Sequence, residues 1–129
     1  MMYLLDTVTI IRHFTASKNI GLNAKEILDS IEISDNIFAV SIISLMEMMY
    51  LSEKNRINME IETTVRLLLE NDAYKIVDLN TDIIVTASRI KFYELHDRMI
   101  LAAAKWLDVP ILSSDKKFSE VEGIEVIWN

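Results

Sequence analysis

The feature that most constrains this chain is a set of short apolar runs in which polar residues do not alternate. Met2–Leu5 (MYLL), Ile37–Val40 (IFAV) and Pro110–Leu112 (PIL) are the clearest. A strand with one wet face would alternate at period two, so a run that is apolar at successive positions asks for cover on both faces. Weaker strands are expected at Lys75–Val77 and Ile124–Trp128. Between these runs the apolar residues fall at helical spacing. The segments are Asn23–Ile31 (with Asn23 as a cap), Ile43–Glu53, Met59–Leu69, a helix capped by Asn80 and running to about Tyr93, and one opening at Glu94 or His96 and ending near Leu107. Strands that alternate with helices make parallel βαβ units with right-handed crossovers. The expectation is a three-layer α/β/α domain with a five-stranded parallel sheet.

At 129 residues the chain fits one domain, residues 1–129, and 51% hydrophobic residues are enough for a substantial core. Two glycines and one proline leave no room for a linker or a low-complexity tail. There is no cysteine, which excludes disulfides and thiolate metal sites. His13 and His96 are too few for a structural zinc site. The opening MMYLLDTVTII meets an aspartate at its sixth position and lacks the basic start of a signal peptide. Ile37–Leu51, the most apolar long window, is interrupted by Ser41, Ser44 and Glu47 and is too short to span a bilayer. A cytoplasmic, membrane-free protein is the expectation. The net charge of −7 argues against holding nucleic acid mainly by its phosphates. It suits hard cations or a basic partner, although ordinary surface solvation produces the same balance.

The stretch LHDRMILAAAKWLDVPILSSDKKF, residues 95–118, has an aspartate at each end of an apolar helix–strand unit. Asp97 falls in the first turn of its helix, and Asp115 follows the strand by three residues. Asp6 ends the first strand, and Glu47 lies about one turn into the helix after the second. In βαβ units helix N-termini and strand C-termini share one edge, where open α/β sheets bind ligands. Singly, Asp97 fits a helix-start acid, Asp115 a turn residue and Glu47 an exposed helical acid. Asp6 fits such a role least, because a buried strand ends on it. Together, four acids on one edge are better explained by one site. Their mutual repulsion needs a divalent cation, and oxygen-only ligation points to Mg²⁺ or Mn²⁺.

In order and spacing, YLLDT (3–7), VSIISLMEM (40–48), ELHDRMILAAA (94–104), VPILSSDKKF (109–118) and IEVIW (124–128) resemble a PIN domain. They are particularly similar to the VapC-type toxins of bacterial and archaeal toxin–antitoxin modules. The resemblance implies Asp6, Glu47, Asp97 and Asp115 as catalytic and metal-binding residues. It also implies Mg²⁺- or Mn²⁺-dependent RNA cleavage, a homodimer, and neutralisation by a small antitoxin. The acidic edge suggests that the antitoxin's inhibitory segment is basic. Asp6 and Asp97 are the first choice as direct ligands, with Glu47 and Asp115 completing the shell. Val8 and Thr9 stand where the family often has Asn, Ser or His, so a polar partner for Asp6 is expected to be missing. Glu94 replaces a frequent aspartate, either as a weaker cap or as a longer arm toward the metal. Ser113 keeps a hydroxyl where threonine is common.

Arg12, Arg98, Lys116 and Lys117 are expected to flank the crevice, with surface solvation the simpler role for each alone. His13 fits a solvent-facing or satisfied core role, and His96 a loop. Met46, Met48, Met49 and Met59 suit core gaps or a dimer surface. A catalytically inactive PIN-like binding module is the main alternative. A receiver-type phosphoacceptor fits less well. It needs an acid pair after the first strand and a lysine after a later one, where this chain has Asp6 alone and Ser113–Ser114.

Overall fold

The computed structural model describes residues 1–129. Its five strands are β1 (Met2–Leu5), β2 (Ile37–Ser41), β3 (Tyr74–Val77), β4 (Ile111–Leu112) and β5 (Val126–Ile127). They form one all-parallel sheet in the order β3-β2-β1-β4-β5. The helices are α1 (Thr7–Phe14), α2 (Leu22–Asp29), α3 (Ile42–Glu53), α4 (Ile61–Glu70), α5 (Thr81–Ser88) and α6 (Leu95–Leu107), and a 3-10 turn spans Lys116–Glu120. No helix is long and apolar enough to cross a membrane.

The unalternating runs are covered as the pattern requires. Leu4, Ala39 and Ile111 face one layer, packing with Ile83 and Ala87 of α5 and Met99–Ala104 of α6. Tyr3, Leu5, Phe38, Val40 and Leu112 face the other, with Ile10, Leu28, Met48 and Leu68 from α1 to α4. Leu4, Leu5, Ile100 and Leu101 are completely buried, and each stabilises by about 2 kcal/mol relative to an exposed side chain. Because the connections from β1 to β3 use one face and those from β3 to β5 the other, strand order reverses beside β1. The β1–β4 border is therefore the topological switch point.

Several element ends differ from the sequence reading. The fifth helix stops at Ser88, and the chain runs irregularly to Glu94, because Ile90 turns into the core while Tyr93 is fully exposed. Glu94 caps α6 by accepting the His96 and Asp97 amides. The last strand shortens to Val126–Ile127, and the third gains Tyr74. Met59 lies outside α4, Met48 is core, and Met46 and Met49 are partly exposed. Asn23 is not the cap of α2. Gly21 holds that position, and the Trp128 carbonyl accepts the Ala24 amide at 3.0 Å. A Cβ on Gly21 would sit 2.4 Å from the Trp128 carbonyl oxygen, so glycine is required there by close approach, with an ordinary φ of −60°.

Candidate functional site: an acidic edge at the switch point

Asp6 is the residue after β1 and the N-cap of α1. Its Oδ1 accepts the Thr9 amide at 2.9 Å, satisfying a free N–H of the first turn. Its Oδ2 accepts a short hydrogen bond from the Ser113 hydroxyl, which reaches across from the end of β4. Ser113 Oγ also accepts the Asp115 amide at 3.0 Å, and Asp115 Oδ1 caps the 3-10 turn through the Lys117 amide at 2.9 Å. One serine thus ties Asp6 to the backbone that carries Asp115. The polar partner expected to be missing around Val8 and Thr9 is supplied instead by Ser113. Thr9 spends its hydroxyl on the Leu112 carbonyl.

Glu47 projects from the second turn of α3, and its Oε1 accepts the Thr7 hydroxyl at 2.6 Å. The hydroxyls of Thr7 and Ser44 lie 2.9 Å apart. His96 Nδ1 lies 3.9 Å from Glu47 Oε2 and 3.8 Å from Glu94 Oε1, which places this half-exposed ring at the mouth of the edge. Thr7 and Ser44 were not singled out in the sequence. The available signal was a hydroxyl directly after Asp6 and another one helical turn before Glu47.

The electrostatics show that the acids share one field. The Asp97 carboxyl is pushed up to about 7, first by burial and then by Glu94, Glu47, Asp115 and Asp6. An acid in the first turn of a helix would normally be favoured by the dipole, so burial and like charge outweigh that term here. Burial likewise raises the Asp6 carboxyl; the Ser113 and Thr9 hydrogen bonds oppose the rise, and Asp115 adds to it. Glu94 behaves oppositely. Slight burial would raise it, but the Asp97 and His96 amides, with the His96 ring, hold it below the usual range.

All four expected site residues therefore stand on one edge. As they stand, no three acidic or histidine side chains close tightly enough around one point to hold an ion. The donor set still fits a hard divalent cation. It is made only of oxygens, no lysine or arginine forms an ion pair with any of the four, and the Asp97 carboxyl is raised by burial and by its acidic neighbours.

Of the basic residues expected at the crevice, Lys116 and Lys117 are exposed beside Asp115. Arg98 follows Asp97, and its buried Nε has no hydrogen-bond partner. Arg12 does not flank the crevice. It lies in the last turn of α1 and donates to the Asn19 carbonyl at 3.0 Å. His13 is partly buried and satisfied, with Nε2 2.7 Å from the Tyr74 hydroxyl.

Fold and edge together define a three-layer α/β protein with an acidic cluster at its switch point. The chain belongs to the PIN domain family, whose model matches residues 3–124. No curated relative matches. Among solved structures it is similar to a chain of VapBC2 from Rickettsia felis bound to a promoter DNA fragment, with 15% identity, 98% of each chain covered and a TM-score of 0.74. It is also similar to a chain of DNA-bound VapBC from Salmonella typhimurium, with 18% identity, 98% and 97% covered and a TM-score of 0.70. A third similar chain comes from a toxin–antitoxin complex of Klebsiella pneumoniae, with 23% identity, 97% and 95% covered and a TM-score of 0.63. At these identities the likeness is one of fold.

Proposed function

We propose that the chain is an endoribonuclease dependent on Mg²⁺ or Mn²⁺, acting in the cytoplasm as the toxin of a toxin–antitoxin pair. The observation that carries this reading is Asp97, a carboxyl pushed up to about 7 first by burial and then by Glu94 and the three other acids of the same edge. Such an arrangement destabilises the protein unless a cation relieves it, which is a common mark of a functional site. Asp6, Glu47, Asp97 and Asp115 would hold the ion. When bound, it would supply charge neutralisation for a phosphodiester and activation of a water. Asp6, hydrogen-bonded on both oxygens, gives the site its fixed point. Glu47 and Asp97 would complete the site from α3 and α6. Lys116, Lys117 and Arg98 would meet the phosphates on either side.

Cleavage of total RNA by the purified protein should appear with millimolar Mn²⁺ or Mg²⁺ and vanish in excess EDTA. Cleavage that persists in EDTA would rule the mechanism out. A binding module without chemistry would instead leave the RNA intact and show no cation-linked gain in stability.

The antitoxin is read from a different surface. Ile42, Met46 and Met49 of α3, with Val65 and Leu69 of α4, line an apolar groove with Asp78 at its rim. A partner with an apolar segment in this groove and an arginine or lysine at the acidic edge would match both surfaces. The similar chains named above come from VapBC and other toxin–antitoxin complexes, which supports a partner of this kind. A complex in which only apolar contacts form and the acids stay uncovered would overturn the basic-segment proposal. The exposed Ile84 and Val85 of α5, with nearby Leu95, offer an apolar surface for a homodimer. Light scattering of the chain alone would decide that point.

A further inference from the structure

We infer that Thr7 is a positioning residue, one that holds Glu47 so that a single carboxylate oxygen, Oε2, is left to the acidic crevice. The inference rests on the cation-site reading above. Thr7 is buried at the first position of α1, directly after Asp6, and its Oγ1 touches two residues of α3. A threonine hydroxyl has one hydrogen to give, and a carboxylate has none. The 2.6 Å contact with Glu47 Oε1 therefore takes that hydrogen, and the fully buried Ser44 hydroxyl must donate its own to Thr7. The direction of the chain is set as Ser44 to Thr7 to Glu47.

Ser44 and Glu47 are three residues apart on α3 and so share one face of the helix. The side chain of Thr7 sits between them. A glutamate on a helix surface otherwise samples many rotamers, and fixing it costs conformational entropy. Here that entropy is spent during folding. Glu47 Oε1 is committed, while Oε2 accepts no hydrogen bond and His96 Nδ1 lies 3.9 Å from it, beyond hydrogen-bond range. Because Thr7 is covalently next to Asp6, the same contact sets the spacing between an acid on α3 and the acid that ends β1.

Titration of Mn²⁺, followed by the paramagnetic resonance signal of the free ion, tests this. Thr7→Val should weaken binding by roughly 10-fold or more, the usual scale for losing a residue that orients a ligand. Thr7→Ser, which keeps the hydroxyl, should restore it. In a Glu47→Ala background, Thr7→Val should cost nothing further, since the residue it acts through is gone. Thr7→Val binding as tightly as the parent would overturn the role. An equal loss in both backgrounds would also overturn it, as a general packing defect. A parent that takes up no Mn²⁺ sinks the cation reading and this role with it, whereas a binding parent with an unaffected variant sinks the role alone. If valine at position 7 prevents folding, Thr7→Ala serves the same comparison.

Discussion

Asp6→Asn is expected to abolish cation-dependent RNA cleavage while leaving the fold intact. The reduction should exceed about 100-fold, since removing a direct ligand should cost more than removing a group that orients one. Asparagine is the right replacement because Asp6 has two roles. Its Oδ1 caps α1, and asparagine caps a helix as well as aspartate does. Its Oδ2 faces Ser113, whose hydroxyl can turn from donor to acceptor when an amide replaces the carboxylate. The buried charge disappears, so stability without metal should not fall. Asp6→Ala would confuse the two roles, because loss of the cap alone costs about 1 kcal/mol. Circular dichroism melts and RNA cleavage on the same preparation separate them. An Asp6→Asn protein that still cleaves at more than a tenth of the parent rate would remove Asp6 from the site.

Asp97→Asn should gain stability over the metal-free parent as pH rises, and metal should reverse that order. Asp97 has a carboxyl at about 7 in the folded protein, against an ordinary value of 3.8. The folded state therefore holds a proton that the unfolded chain has released. The stability this brings is complete below about pH 4 and is lost as pH rises through 7. Near pH 4 or below, the metal-free parent and Asp97→Asn should melt nearly alike, because the position is then largely uncharged in both the folded and the unfolded chain. At pH 8 the variant should melt higher. Asp97 is only partly buried, so after discounting for solvent screening the gain is on the order of 1 kcal/mol, or about 3–6 °C. Saturating Mg²⁺ should reverse the order, because a ligand at a hundred times its Kd adds about 2.7 kcal/mol to the protein that binds it. Melts at both pH values, in EDTA and in Mg²⁺, check this. Equal melting at pH 8 and no crossover would leave Asp97 as a helix-start acid.

The layer architecture was legible because burial on both faces of a sheet leaves its mark on each strand. MYLL and IFAV could not have been half-exposed strands. The acidic edge was legible for a related reason: in parallel units the end of a strand and the start of a helix fall on the same side, so sequence position became spatial position. What stayed hidden depends on contacts between distant residues. The hydroxyl of Ser113 was noticed, but its bond to Asp6 spans 107 positions. Thr7 looked like the last residue of the YLLDT run rather than a link to α3. The end of α5 at Ser88 was misplaced because Ile90 and Phe92 continue an apolar spacing while packing outside any helix. Gly21 carried no local signal at all, since its constraint comes from the Trp128 carbonyl.

The central place of β1 has a consequence for when the protein acquires its chemistry. Its neighbour β4 is contributed more than a hundred residues later, and the helices between them must already be stacked on the sheet. Contacts this distant along the chain form late, since the entropy of closing so long a loop is lost before any pairing rewards it. During synthesis, residues 1 to about 100 can carry Asp6, Glu47 and Asp97, yet without Ser113 the Asp6 carboxylate lacks its second anchor. The emerging polypeptide therefore lacks both Ser113 and Asp115 until its last 17 residues are released.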